Sequence, residues 1–145
     1  MRTNNLGIGL AMMMAASALT AEVSPAQQPG ISRTELQRHD MSTPGREAIQ
    51  VRVDFAAGAV AAKHKHPGEE IVYVLAGSLE YRIEGREPVT LGAGEVLFIP
   101  AETFHSAKNV GSGMASELAT YVVEKGKPLV VLASEPQAHA GSLSP

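Results

Sequence analysis

The residues of this chain best suited to chemistry are two histidines and a glutamate that lie close together. His64 and His66 are separated by one residue, and Glu70 follows after three more. In a strand, residues two positions apart project from the same face, so both imidazoles should leave the strand together. A turn at Pro67 and Gly68 then brings Glu70, at the start of the next strand, beside them. Two neutral imidazoles and one carboxylate can bind a divalent metal.

A third histidine comes from a distant part of the chain. Residues 96–99 are apolar and predict a buried strand, Pro100 marks a turn, and His105 opens the next strand with its ring directed inward. His105 can thus supply a fourth ligand. Three imidazoles and one carboxylate leave about two positions open on a six-coordinate metal. Because these ligands suit Fe, Mn, Ni, Cu and Zn alike, we expect a divalent transition metal of one of these kinds.

Candidates for a general base are few. We find no inward-facing Ser, Lys or Arg that could hold a substrate carboxylate, since Arg52 and Arg82 lie on the polar faces of their predicted strands. Glu70 and Glu102 are therefore the candidate general bases. Glu102 is otherwise interpreted as a solvated loop residue or as a carboxylate at the rim of the site.

Several other residues near these positions are assigned structural or solvent-exposed roles. The side chains that strand alternation places on the outside are Lys63, Lys65 and Glu69. The aromatic residues expected to fill the barrel are Tyr81, Phe98 and Phe104. Asn109 should bond the backbone near a strand end. His39 and His139 lie outside the motifs and are expected to be ordinary exposed residues.

Alternating apolar and polar residues predict the strands that must position these side chains. Ile49, Val51, Val53 and Phe55 alternate with polar residues, which is the period of a half-buried strand. Further short runs occupy residues 70–76, 79–83, 88–91, 96–99, 104–110, 116–123 and 129–132. Such runs, separated by glycine and proline, predict an all-β sandwich or barrel. Residues 32–35 fit a helix capping box, but their apolar spacing favours a first strand.

Composition excludes several classes of function. The net charge of −3 and the pI near 5.9 argue against a nucleic-acid partner, which would need a basic surface. The absence of cysteine excludes disulfides, thiolate catalysis and cysteine-ligated metal. All six aromatic residues lie between positions 55 and 121, which places the core in that span.

The beginning of the chain has the pattern of a signal peptide. Arg2 precedes an apolar run over residues 6–19, and Ala16-Ser17-Ala18 forms a small-residue cleavage site. The run is shorter than the ~20 residues that span a bilayer, and a retained N-terminal anchor is the alternative. We therefore expect an exported, periplasmic protein without membrane contact after cleavage. The expected parts are a leader and cleavage region at 1–26, an N-terminal arm with the first strand at 27–47, a barrel at 48–133 and a flexible tail at 134–145.

In its two histidine motifs the chain resembles the cupin superfamily, small β-barrels whose two motifs hold a metal. The first motif matches at Gly58, His64, His66, Glu70 and Gly77, and the second at Gly94, Pro100, His105 and Asn109. The resemblance covers residues 50–125 and looks closest to small, exported, single-domain bacterial cupins. It implies a cupin-type double-stranded β-helix, or jelly-roll barrel, as a single domain.

The resemblance also implies a metal site and an assembly. The metal ligands that it implies are His64, His66, Glu70 and His105. Such barrels often pair through an N-terminal strand, so a homodimer is expected, with residues 34–41 as the exchanged segment. The chain departs from the family at Glu102, where glycine is usual. Because positive φ is costly for Glu, we expect the turn there, and with it the placement of His105, to differ.

The ligand set suggests the class of molecule that would bind. Three neutral imidazoles and one carboxylate with a divalent metal make a site of about +1 charge, which favours an anionic or enolate-forming ligand. We hypothesise a metal-dependent oxygenase acting on a small organic molecule. The alternatives are a non-catalytic exported metal- or ligand-binding protein, and a metal-dependent lyase, isomerase or decarboxylase. The fold alone does not choose among them.

Overall fold

The alternating segments form ten strands within residues 28–134, which are the residues that the computed structural model describes. In chain order they are β1 (Ile31–Asp40), β2 (Arg46–Phe55), β3 (Val60–Lys65), β4 (Gly68–Ala76), β5 (Ser78–Ile83), β6 (Val89–Gly92), β7 (Val96–Ile99), β8 (His105–Asn109), β9 (Ala115–Glu124) and β10 (Val131–Leu132). One five-stranded sheet has the order β1-β2-β9-β4-β7, and the other has the order β10-β3-β8-β5-β6. All paired strands are antiparallel. This architecture confirms the predicted all-β jelly-roll barrel.

The core between the two sheets follows from the two-residue period of the strands. Ile49, Val53 and Phe55 of β2 point inward and are buried, and Leu79 and Tyr81 of β5 meet them from the other sheet. Burial of these side chains removes apolar surface from water and is the main favourable contribution to folding. It also surrounds every inward-facing polar group with a medium of low polarity, so such groups need partners.

Phe98, which we expected to fill the barrel, lies on its outside. Its side chain is 52 % exposed, and it stands opposite Ile71 of β4, which is also exposed. The inward positions of β7 belong to Leu97 and Ile99, which the sequence run could not reveal because all four residues of the strand are apolar. The prediction for Phe98 was therefore wrong, whereas Tyr81 is buried as predicted.

The N-terminal part of the described chain forms a strand, as its apolar spacing predicted. β1 pairs with β2 of the same chain, with an irregularity between Glu35 and Gln37. The exchange of residues 34–41 between two copies, and the homodimer itself, stay predictions. The leader at 1–26 and residues 135–145 of the tail lie outside the described residues, so export and the domain boundaries also stay predictions. Within residues 28–134 no helix is long and apolar enough to cross a membrane.

Gly68 begins β4 at a point where two backbones come unusually close. A Cβ atom at this position would lie 2.1 Å from the carbonyl oxygen of Val122 and 2.6 Å from the Cα of Val123 in β9. Only glycine fits such an approach. Because Glu70 lies two residues further along β4, this contact helps to set the position of the Glu70 carboxylate in the barrel.

Candidate metal centre

The four predicted ligands lie together inside the barrel. His64 of β3 is paired in register with His105, the first residue of β8. His66 follows β3, and the short turn after it leads to Glu70 in β4. All four side chains are buried. The centroids of the three imidazole rings are 4.3 to 5.1 Å apart, so the rings converge on one point.

Each imidazole is oriented by the backbone through its Nδ1 atom. Since a carbonyl oxygen can only accept, Nδ1 carries the proton in each ring and Nε2 keeps a free lone pair. The accepting carbonyls are those of Ala62 for His64 (2.6 Å), Leu129 for His66 (2.5 Å) and Thr103 for His105 (2.9 Å). One nitrogen from each ring lies within 4.8 Å of the other two. The arrangement presents three nitrogen donors to a common centre.

The Glu70 carboxylate completes this group but leaves two polar atoms without hydrogen bonds. Its Oε2 atom lies 3.2 Å from Nε2 of His66 and 3.1 Å from Nε2 of His105. Despite the short distance, Nε2 of His66 and Oε2 of Glu70 are buried without a hydrogen-bond partner of good geometry. Such orphaned atoms each cost about 1–3 kcal/mol. A cation between them would satisfy both, so the donor set fits a divalent transition metal.

The protonation states of the group favour a cation. Burial, and next the neighbouring His105, lower the pKa of His64 to about 4, so this ring is neutral near pH 7. Burial by itself raises the pKa of Glu70, but His105 and His66 outweigh it and hold that pKa well below its usual range. Burial lowers the pKa of His105, but Glu70 outweighs it and the net shift is upward. A carboxylate and a neutral imidazole are the forms that ligate metal.

We expect the metal-free protein to lose stability as the pH falls from 6.5 to 4.5. Within that window the unfolded chain protonates His64 while the folded chain does not, so acid favours unfolding. The shift from 6.5 to about 4 corresponds to roughly 3 kcal/mol in total. Chelator-treated protein unfolded by urea at several pH values should show this slope, and His64→Gln should flatten it. Equal slopes in both proteins would contradict the assignment.

The three histidines and Glu70 lie at the wall of one small pocket. The pocket is open to solvent, and its free volume is about 20 Å³. Such a volume admits a few non-hydrogen atoms rather than a large ligand. The apolar part of the lining comprises Val53, Phe55, Ala61, Ala107 and Val130.

Two charged residues of the pocket were missed by the sequence analysis. Arg33 of β1 is exposed, yet it also lines the pocket, which the expectation that no arginine faces inward did not foresee. Glu117 of β9 also lines it and is buried, so Glu70 and Glu102 are not the only candidate bases. The hydroxyl of Tyr81 donates a hydrogen bond to Oε2 of Glu117. The signal for Glu117 was available, since it shares the inward parity of Ala119 and other buried residues of β9.

The environment of Glu117 differs from that of Glu70. Burial, and then the negative charge of Glu70, raise the pKa of Glu117 to about 8, against the smaller opposing effect of the hydrogen bond from Tyr81. Burial and the nearby carboxylates also raise the pKa values of Tyr81 and Tyr121, so both phenols are neutral. The pocket therefore holds one ionised carboxylate and one carboxyl group that can carry a proton near neutral pH.

Glu102 lies outside the pocket, and the turn tolerates it. It adopts φ of 57°, a value that favours glycine. Its backbone N–H donates to the carbonyl of His66 (3.1 Å), and its carboxylate pairs with Lys65 (2.5 Å) at the surface. The expectation that His105 would be displaced is therefore wrong. The backbone of Glu102 adopts the positive φ that the turn needs, and His105 lies with His64 and His66. Glu102 is the solvated loop residue of the first interpretation.

Asn109 has the structural role that the sequence predicted. Its side-chain amide donates to the carbonyls of Phe55, Ala56 and Gly113, and its oxygen accepts from the backbone N–H of Gly111. These bonds join the end of β8 to the end of β2 and to the following loop. They hold the strand that carries His105 in register.

Comparison with known proteins agrees with this geometry. Residues 51–123 match the family model described as Cupin domain. The chain is 40 % identical over 56 residues to the dimethylsulfoniopropionate lyase DddQ of Ruegeria pomeroyi, a match that covers 39 % of this chain and 28 % of the lyase. It is 28 % identical over 120 residues to an oxalate-binding protein of Thermotoga maritima, covering 79 % of this chain and 97 % of that protein.

Solved structures show the same fold with a bound small acid. The structure of an oxalate oxidase in complex with the substrate analogue glycolate superposes with a TM-score of 0.61 at 28 % identity. The similarity covers 82 % of this chain and 63 % of the oxidase. This chain thus spans less than two thirds of the oxidase and less than a third of the lyase.

Proposed function

The chain belongs to the cupin family, and we propose that it is a metal-dependent cupin that binds a small carboxylate and cleaves it without oxidation. The observation that carries the proposal is the convergence of three buried imidazoles on one point, with the Glu70 carboxylate 3.1 to 3.2 Å from two of them and two of these polar atoms left without a hydrogen bond. The residues that would hold the metal are His64, His66, Glu70 and His105. A divalent ion bound there would coordinate oxygen atoms of the substrate carboxylate and stabilise negative charge that develops on the substrate.

The class of ligand follows from the charge and size of the pocket. Arg33 is the cationic side chain among the lining residues, and a guanidinium pairs with a carboxylate through two parallel hydrogen bonds. A small acid could therefore bind the metal at one end and Arg33 at the other. Relatives support this class, because oxalate, glycolate and dimethylsulfoniopropionate are all small carboxylates.

The reaction class follows from the polar residues of the pocket that are not metal ligands. Non-oxidative cleavage needs a group that gives or takes a proton, and the pocket contains a buried carboxyl group in addition to Glu70. It also contains the arginine whose absence weakened this hypothesis at the level of the sequence. The similarity to a lyase over 56 residues supports the same class.

Oxygen-dependent oxidation, the first hypothesis from the sequence, is the second candidate. It is favoured by the similarity to oxalate oxidase over 82 % of this chain. The test is to offer Mn²⁺- or Fe²⁺-loaded protein a panel of small carboxylates with and without O₂, while following substrate loss and O₂ consumption. Turnover at equal rates without O₂ supports cleavage, and turnover that stops without O₂ supports oxidation. Binding without any turnover would indicate a ligand-binding protein and contradict both.

We expect Arg33→Ala to weaken the binding of oxalate to the metal-loaded protein about tenfold. The substitution removes a charge-assisted hydrogen bond of about 1.5 kcal/mol at a partly solvated site. Calorimetric titration with oxalate measures the effect. Arg82→Ala is the matched control, because Arg82 is exposed on the outer face of β5 and pairs with Glu80 (2.8 Å). Equal affinities in the two variants would exclude Arg33 from carboxylate binding.

A further inference from the structure

The pocket contains a polar pair that the metal site does not use, formed by Glu117 and Tyr81. Glu117 lies on the central strand β9, between Val53 of β2 and Val74 of β4 in register. Both valines are buried, so Glu117 has apolar neighbours on the two adjacent strands. Tyr81 approaches from the other sheet, and its hydroxyl donates a hydrogen bond to Glu117. This bond fixes the direction of the carboxyl group.

In this position the Glu117 carboxyl group faces the pocket in which a ligand would bind. It lines the same pocket as the three histidines and Glu70, yet it is not part of the group of nitrogen donors. The charged and titratable groups that line the pocket around it are Arg33 of β1, His64 of β3, His66 after β3, Glu70 of β4, Tyr81 of β5, His105 of β8 and Tyr121 of β9. Glu70 is the anionic group among them, and a second anion beside it would be disfavoured.

We propose that Glu117 is the proton-donating residue of this pocket and that Tyr81 is the positioning residue that holds it toward the ligand. The proposal rests on the proposed function, because it assumes that a carboxylate binds at the metal site. In the step that we assign to it, the bond between the carboxylate carbon of the substrate and the neighbouring carbon breaks, the carboxylate leaves as CO₂, and the electron pair of the broken bond stays on the neighbouring carbon. The O–H bond of Glu117 breaks, the proton forms a C–H bond, and Glu117 is left as a carboxylate. Water returns the proton, so no oxidant or reductant is needed.

The surroundings of Glu117 favour its role as a proton donor rather than a proton acceptor. Burial and the charge of Glu70 favour the protonated form of Glu117, and its pKa is raised to about 8. An incoming carboxylate adds negative charge nearby and should raise this pKa further. Binding of an anion should therefore be accompanied by uptake of a proton at a pH where Glu117 is partly ionised beforehand.

The test measures that proton uptake in the full-length, Mn²⁺-loaded protein, with oxalate as the probe. Calorimetric titrations in buffers of different ionisation enthalpy, from pH 6 to 9, give the number of protons bound with oxalate. We expect proton uptake together with oxalate for the wild type and none for Glu117→Gln. Glu69→Gln, which changes a half-buried neighbour of Glu70 on the outer face, should behave as the wild type. Unchanged proton uptake in Glu117→Gln would overturn the proposal.

The pH at which the proton is taken up distinguishes a positioning role of Tyr81 from a purely structural one. Because its hydrogen bond lowers the pKa of Glu117, Tyr81→Phe should shift the proton uptake to higher pH. An uptake profile at the wild-type pH would exclude Tyr81 from this role.

Infrared spectroscopy tests the protonation of Glu117 even when oxalate does not bind. Infrared difference spectra of the Mn²⁺-loaded protein without ligand, recorded on stepping the pH upward, should show loss of a protonated-carboxyl band that is missing in Glu117→Gln. If oxalate fails to bind while this band is present, the proposed function fails and Glu117 remains the proton carrier. If the band is absent from the wild type, the assignment of Glu117 fails irrespective of binding.

Discussion

His105→Gln is expected to lower the affinity of the protein for Mn²⁺, Ni²⁺ or Zn²⁺ by at least about a hundredfold. The substitution removes one of the converging imidazole nitrogens, and even residues that only orient metal ligands contribute 10–100-fold to affinity. Glutamine places an amide N–H group near the Oε2 atom of Glu70, which lies 3.1 Å from Nε2 of His105, so the buried carboxylate still has a polar neighbour. Competition with a chromogenic chelator at pH 7 measures the affinity.

The control for this experiment is His39→Gln. His39 is an exposed residue of β1 that lies outside the metal group, so its replacement should leave the affinity unchanged. Circular dichroism of the metal-free proteins separates loss of a ligand from loss of the fold. A folded His105→Gln protein that binds metal as tightly as the His39→Gln protein would show that His105 is not a ligand.

Gly68→Ala is expected to destabilise the protein by about 3 kcal/mol or more, which lowers the melting temperature by about 10 °C or more. The added methyl group would lie 2.1 Å from the carbonyl oxygen of Val122 and 2.6 Å from the Cα of Val123. Both are backbone atoms of β9, the strand that pairs with both β2 and β4, so relief requires the sheet itself to shift. Thermal unfolding of the metal-free protein measures the effect.

The same substitution should also weaken metal binding, since Glu70 follows two residues later on the displaced strand. Gly113→Ala is the matched control, because a Cβ atom there meets no atom within 4 Å. It should change the free energy of unfolding by less than about 1 kcal/mol. A Gly68→Ala protein as stable as the Gly113→Ala protein would mean that β4 and β9 lie further apart than described.

The strands could be predicted from the sequence wherever polar residues alternate with apolar ones. β2 and β5 show this alternation clearly, and their inward faces were identified correctly. β7 consists of four apolar residues, so its period carries no information about which face is inward. Register with β4 turns Phe98 outward and Ile99 inward, and this pairing between distant segments cannot be read from a run of four residues.

The metal group could be predicted because its residues combine rare types with a spacing that strand geometry explains. His64 and His66 share one face, and His105 meets them through pairing of β3 with β8. Glu117 was not predicted because β9 carries no histidine motif, although positions 115, 119 and 121, which share its side of the strand, are apolar or aromatic and buried. Arg33 needed the pairing of β1 with β2, since only that register brings it opposite Val53 beside the pocket.

Metal binding by His64, His66, Glu70 and His105 can be tested on untagged full-length protein that has been incubated with Mn²⁺, Fe²⁺, Ni²⁺, Cu²⁺ or Zn²⁺ and dialysed. Its metal content is then measured by plasma mass spectrometry. We expect about one tightly bound ion per chain for at least one of these metals, and a loss of that ion in His105→Gln. Wild-type protein that is folded and retains none of the five metals would contradict this expectation.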